Sequence, residues 1–264
     1  MVDKTQHSAL STQHSVSLGP GRKTIGGGEP VICVPLVAKQ PGEALEQIKR
    51  LATAEPDLIE VRLDYIEDLT PQLAGVLLAE LHEACPIPLL ATFRRAEEKG
   101  ARLLDEPERV EILRAALKSG VIRLLDVELR TSQDARTSLL EAARQAQVAT
   151  IISYHDFEAT PSYEELTGLL KELAATGADI VKLAVYPRTP PDTLNLLAAT
   201  YEAATTYLDR PLITMAMGAL GGFTRLAGPF FGSALTFAVG ENSSAPGQMT
   251  IDIMRNLWHN WGVL

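Results

Sequence analysis

The chain has 264 residues, 46% of them apolar and 22% charged, which is ordinary globular usage and excludes disorder as the main state. Its 24 basic and 33 acidic side chains leave a net charge of −9, so no basic face is available for a nucleic-acid backbone. No run approaches the roughly 18 apolar residues of a membrane span. Two cysteines, Cys33 and Cys85, without ligand spacing around them indicate neither a disulfide framework nor a structural zinc site, which fits a cytoplasmic chain.

Residues 1–28 are polar, rich in Ser, Thr, Gln and Gly, and lack the apolar stretch of a secretion signal; they read as a flexible leader ahead of a single domain spanning 29–264. His7 and His14 in that leader are expected to be solvated rather than metal ligands. From Pro30 onward, short apolar or β-branched runs alternate with helical periodicity. The runs cover 31–38, 58–64, 88–94, 123–129, 149–156, 180–187, 211–218 and 235–240. Amphipathic segments lie between them, from GEALEQIKRLATAE to GGFTRLAGPFFG, and TIDIMRNLWHNWG closes the chain. Eight β–α units in about 235 residues, with no hairpin signal among them, predict a (β/α)8 TIM barrel. No GxGxxG or Walker A loop follows any run, which removes the main argument for a nucleotide fold.

Charged residues inside the runs carry the functional argument, because barrel strands are covered outside by helices and a charged face must point inward. In LIEVRLD, Glu60, Arg62 and Asp64 alternate with apolar residues and share one face. Asp126 and Glu128 repeat the pattern in the fourth run, either as part of a site or as a salt-bridge layer with the arginines of the second. Arg94 and Arg95 end the third run at the position of the barrel mouth. His155 closes the fifth run, where an imidazole can serve as acid or base. Lys182 interrupts the apolar IVKLAVY; desolvation and nearby arginines are expected to lower its pKa and free a nucleophilic amine. The loop GENSSAPGQ after the eighth run suits a mobile lid as well as an ordinary surface loop.

With these residues in place, the chain from about Val31 to Trp258 resembles the type I 3-dehydroquinate dehydratase family. The resemblance is carried by EVRLD, TFR with Glu98 beyond it, the SYHDF histidine, the VKLA lysine 27 residues later, MAMG with TRLAG, and SAPGQ. It implies that Lys182 forms an imine with a substrate ketone, that His155 removes the adjacent proton and helps expel a hydroxyl as water, and that Glu98 orients the imidazole. It further implies that Arg225 and Gln248 hold the substrate carboxylate, that Glu60, Arg62 and Arg94 hold ring hydroxyls, that Ser244 completes the closed pocket, and that Met217 packs against the imine. The reaction so implied is dehydration of 3-dehydroquinate to 3-dehydroshikimate in the shikimate pathway, in a homodimer, without metal or organic cofactor. In the family the glutamate is usually followed by two glycines, whereas here Glu98 precedes Lys99 and Gly100 and has a second glutamate, Glu97, beside it. Two other readings remain: an aldolase-type Schiff-base barrel, and a catalytically silent metabolite-binding relative.

Overall fold

The computed structural model describes residues 14–240 and 248–264. Eight parallel strands form one sheet: β1 (Val31–Leu36), β2 (Leu58–Arg62), β3 (Leu89–Thr92), β4 (Leu124–Glu128), β5 (Ala149–His155), β6 (Ile180–Val185), β7 (Leu212–Ala216) and β8 (Leu235–Phe237). Neighbours follow chain order, and β8 pairs with β1 through Leu235 opposite Val31. The last seam, between β7 and β8, is closed by a bridge from Leu212 to Ser233 and by the Ala234 N–H donating to the Leu212 carbonyl at 2.7 Å. The ring is thus complete, as the β–α alternation predicts.

The helices are α1 (Pro41–Ala52), α2 (Pro71–Ala84), α3 (Glu106–Lys118), α4 (Gln133–Gln145), α5 (Tyr163–Ala175), α6 (Pro190–Glu202), α7 (Gly218–Ala227) and α8 (Ile251–Asn260). Several open on a proline in the first turn, where the missing N–H costs nothing, and α5 opens on a Ser162–Glu165 capping box. None of the helices among the described residues is long and apolar enough to cross a membrane.

Period-2 alternation sorts the strand residues into two cores. Ile59, Val61, Leu125, Val127, Ile152, Val181 and Leu183 face outward and pack under helix residues such as Ile48, Leu77, Leu113 and Leu170. Val31, Cys33, Leu58, Leu90, Leu124, Ile151 and Ile180 fill the barrel's lower half. One step further along the strands the inward positions turn polar: Glu60, Thr92, Asp126, Ser153 and Lys182 are all buried.

The leader expectation needs correction over its described part. Val16–Ser17 and Thr24–Ile25 pair as an antiparallel hairpin, and Leu18 and Ile25 are buried against the lower core. Arg123 donates to the Ser17 carbonyl, Arg22 to that of Pro86 and Lys23 to that of Pro30, which pin the hairpin to the barrel floor. The sequence hid this because three apolar residues, Val16, Leu18 and Ile25, are too few in a polar tract to mark a strand; their burial depends on an opening that exists only once the strands are assembled. The His14 side chain is largely exposed, 3.5 Å from Asp209; His7 lies outside the described residues.

Candidate active site

The polar half of the barrel opens at the C-terminal ends of the strands into a cavity of about 590 Å³, including the solvent at its mouth. Lys182, His155, Glu98, Glu60, Arg62, Arg94, Arg225, Met217 and Gln248 all line it. These are the residues singled out in the sequence, save Ser244, which lies outside the described residues. Strand alternation brings most of them together: Lys182 and Glu60 point inward from the middle of β6 and β2, while Arg62 and His155 stand one inward step higher.

Lys182 is 3% exposed. Its ammonium donates to Asp126 Oδ2 at 3.1 Å, stands 4.0 Å from Glu60 Oε1, and sits 4.5 Å above the Phe237 ring. Among the described residues its ion-pair neighbours are therefore carboxylates, where the sequence suggested arginines. Asp126 also accepts from Ser153 Oγ at 2.6 Å and from Arg94 at 3.1 Å. Burial alone would push the Asp126 carboxyl upward, but Arg94 and Lys182 outweigh it and hold the group ionised far below the usual carboxylate range.

Arg94 is buried and stays charged, because Asp126, Glu128 and Glu98 more than offset its desolvation. One of its nitrogens donates to Glu128 and to Ser153 at 3.1 and 2.9 Å. Glu128 in turn accepts from Arg109 of α3 at 2.7 Å. The salt-bridge layer of the fourth strand thus exists, but with Arg94 and Arg109 rather than with Arg62, whose fork is taken by Asp64 at 2.8 and 2.7 Å. Arg109 had no sequence signal, since a charged residue on an amphipathic helix normally faces water.

His155 Nδ1 shares a hydrogen bond with Glu98 Oε2 at 2.8 Å, and its ring stacks on Phe157. Glu98, not the exposed Glu97, makes this bond. Burial, then Arg94 and Lys182, push the His155 pKa well below 6.5, so the imidazole is neutral at neutral pH. Burial lifts Glu98 to about 7, with its Oε1 buried and without a hydrogen-bond partner among the described residues. A neutral imidazole with one nitrogen fixed is suited to accept a proton at the other.

Arg225 reaches the cavity from α7, which lies tightly against the end of β7: a Cβ at Gly221 would fall 2.3 Å from the Ala216 carbonyl carbon, so only glycine permits the approach. The guanidinium is 1% exposed, donates to the Phe237 carbonyl at 3.4 Å and lies 3.5 Å from Met215 Sδ. Desolvation brings its pKa down to about 10, which still leaves it cationic. Phe237, Met215, Phe157 and Lys99 also line the cavity, and Asp126 joins the site through Lys182; of these the sequence singled out only Asp126 as a candidate, and left its role open.

Eight parallel strands with a buried lysine, a histidine–carboxylate pair and inward-facing guanidinium groups at the C-terminal mouth define a TIM-barrel enzyme with a lysine-centred site. The profile of the family described as Type I 3-dehydroquinase matches residues 32–264. The chain belongs to this family. It is 41% identical over 238 residues to the 3-dehydroquinate dehydratase of Geobacillus sp. (strain WCH70), covering 89% of this chain and 91% of that one. The 3-dehydroquinate dehydratase of Bacillus licheniformis is 38% identical, with 89% and 94% covered. Among solved structures, the type I enzyme of Clostridium difficile with covalently modified comenic acid superposes with a TM-score of 0.87 at 37% identity, covering 90% of this chain and 95% of that one. The 3-dehydroquinate dehydratase of Geobacillus kaustophilus HTA426 gives 0.87 at 39% identity, with 91% and 94% covered.

Proposed function

We propose that the protein dehydrates 3-dehydroquinate to 3-dehydroshikimate through a Schiff base on Lys182. The observation that carries this reading is the shared cavity of a buried lysine and a neutral, Glu98-bonded imidazole. The unprotonated amine of Lys182 adds to the substrate ketone carbon, the carbonyl oxygen leaves as water, and the resulting iminium withdraws electrons from the neighbouring C–H bond. His155 takes that proton, giving an enamine. The enamine electrons then expel the β-hydroxyl, which leaves as a second water with the proton returned by His155, and hydrolysis of the iminium consumes one water and frees Lys182. One water is lost in sum. The lysine is the electron sink, so the chemistry itself calls for no metal or organic cofactor.

Asp126 and Glu60 hold the Lys182 side chain in the middle of the barrel. Arg225, which lines the cavity with Gln248, suits the substrate carboxylate, since a guanidinium already desolvated by the fold binds an anion without further loss of hydration. Glu60, Arg62 and Arg94 supply polar groups for the ring hydroxyls, Met217 an apolar wall, and Ser244 belongs to the loop expected to close over the substrate. The same reading assigns the protein to the shikimate pathway, in the cytoplasm and as a homodimer. A relative solved with a covalently modified ligand supports a site able to form an adduct.

Borohydride reduction in the presence of 3-dehydroquinate, followed by intact mass and peptide mapping, tests the mechanism. An adduct on Lys182, absent from Lys182→Ala, is expected together with loss of enone-forming turnover in that variant. Turnover without an adduct would overturn the imine. C–C cleavage instead of dehydration would favour the aldolase reading, and binding without reaction the silent relative.

A further inference from the structure

Asp64 lies in the short 3-10 turn Leu63–Tyr65 just beyond β2, 1% exposed and outside the cavity lining. Its two oxygens accept four bonds. Oδ1 takes Arg62 Nε at 2.8 Å and the backbone N–H of Arg94 at 3.3 Å; Oδ2 takes the other Arg62 nitrogen at 2.7 Å and the backbone N–H of Ala101 at 2.9 Å. One carboxylate therefore ties together the two ends of the segment 94–101, and that segment carries Glu98 at its centre.

The segment is a tight loop that doubles back on itself. Gly100 N–H donates to the Arg95 carbonyl at 2.8 Å, and a Cβ on Gly100 would fall 2.0 Å from the Arg94 carbonyl oxygen. Lys99 takes a left-handed φ of 61° to close the 3-10 turn Ala96–Glu98. A loop so compact has few ways to adjust, so fixing its ends fixes the direction in which Glu98 leaves it. The same carboxylate holds the Arg62 fork in a single bidentate pose inside the site.

We propose that Asp64 is a positioning residue that sets Glu98 against His155, without itself touching substrate. The inference rests on the catalytic reading of His155 and Glu98 above. It makes a demand that a merely structural carboxylate would not: loss of Asp64 must act on the chemistry through Glu98.

The test is a double-mutant cycle of Asp64→Asn and Glu98→Gln in the full-length protein, with kcat and KM for 3-dehydroquinate and the imidazole 15N shifts of His155 as readouts. Asp64→Asn keeps the side-chain volume but replaces one acceptor by a donor facing donors. We expect a folded variant with kcat lowered about tenfold to a hundredfold, an altered His155 Nδ1 signal, and a double variant within about twofold of the slower single. A kcat within about twofold of wild type, losses that multiply, or an unchanged His155 signal each overturns the proposal. Should Asp64→Asn fail to fold by circular dichroism, Ala101→Pro replaces it in the cycle, removing one donor to Asp64 at an exposed residue, and the same outcomes decide. If the wild type does not dehydrate the substrate, the functional reading falls, and the His155 signal alone decides the role of Asp64.

Discussion

Replacing Glu98 by glutamine should change how the stability of the fold depends on pH. The carboxyl is fully buried, bonded through one oxygen to His155, and 3.9 Å from Arg94, and burial lifts it from 4.5 to about 7. The folded state thus holds this proton more tightly than the unfolded chain does. As pH rises from 4.5 toward 7 the unfolded state ionises first, so stability is present at low pH and lost across that window. The gap corresponds to roughly 3 kcal/mol in full, of which about 2.5 kcal/mol falls between pH 5 and 8. The glutamine side chain has the shape of the protonated acid and no proton to lose. Urea denaturation of both proteins at pH 5, 6, 7 and 8 should show the variant gaining on the wild type by about 2.5 kcal/mol, or about 5 °C in melting temperature. Below pH 6.5 a second destabilisation is expected in both proteins, because the buried His155 resists protonation in the fold, so the comparison is decided by the change between pH 6.5 and 8, where the imidazole is neutral. A difference that stays constant within about 0.5 kcal/mol would refute the reasoning. It would mean that Glu98 is ionised in the fold and paired with a protonated His155.

Three further outcomes follow from the site and the floor of the barrel. Since burial and the cations Arg94 and Lys182 keep His155 neutral, the acid limb of kcat/KM should lie below pH 6.5; a limb above that value would exclude His155 as the base of the free enzyme. Arg225→Ala should weaken substrate binding by about 2 to 5 kcal/mol, a rise in KM of roughly 30-fold or more. An unchanged KM would move the carboxylate contact elsewhere. Ile25 is fully buried under the barrel, so Ile25→Ala should cost about 2 to 4 kcal/mol in urea unfolding. A loss below about 0.5 kcal/mol would mean that the hairpin does not seal the barrel in solution.

Most of the site was legible because a strand writes its inward face into every second residue. Glu60 with Arg62 and the lone Lys182 amid apolar neighbours could be read this way, since a charge in a covered strand has nowhere else to go. Glu98 could not be reached by periodicity. It lies on a 3-10 turn in a loop, and its tie to His155, 57 residues away, came only through the resemblance. Arg109 was illegible for a different reason: it belongs to an outer helix, and only the assembled barrel brings it to Glu128 at the end of β4.

The sequence by itself determined the eightfold β–α alternation, the closure it implies, and the inward face of each strand, because these follow from local periodicity and from the cost of leaving apolar runs in water. It also determined that the strand charges Glu60, Arg62, Asp126, Glu128 and Lys182 would be buried. What it left open was their pairing. Whether Lys182 faces arginines or carboxylates, whether Arg62 joins the layer of Asp126 and Glu128 or turns to Asp64, and whether the polar leader docks on the barrel are set by the stagger between neighbouring strands and the loops at their ends. Buried charge energies depend on separations of a few ångströms between residues 30 to 57 positions apart, and only the assembled barrel defines those separations.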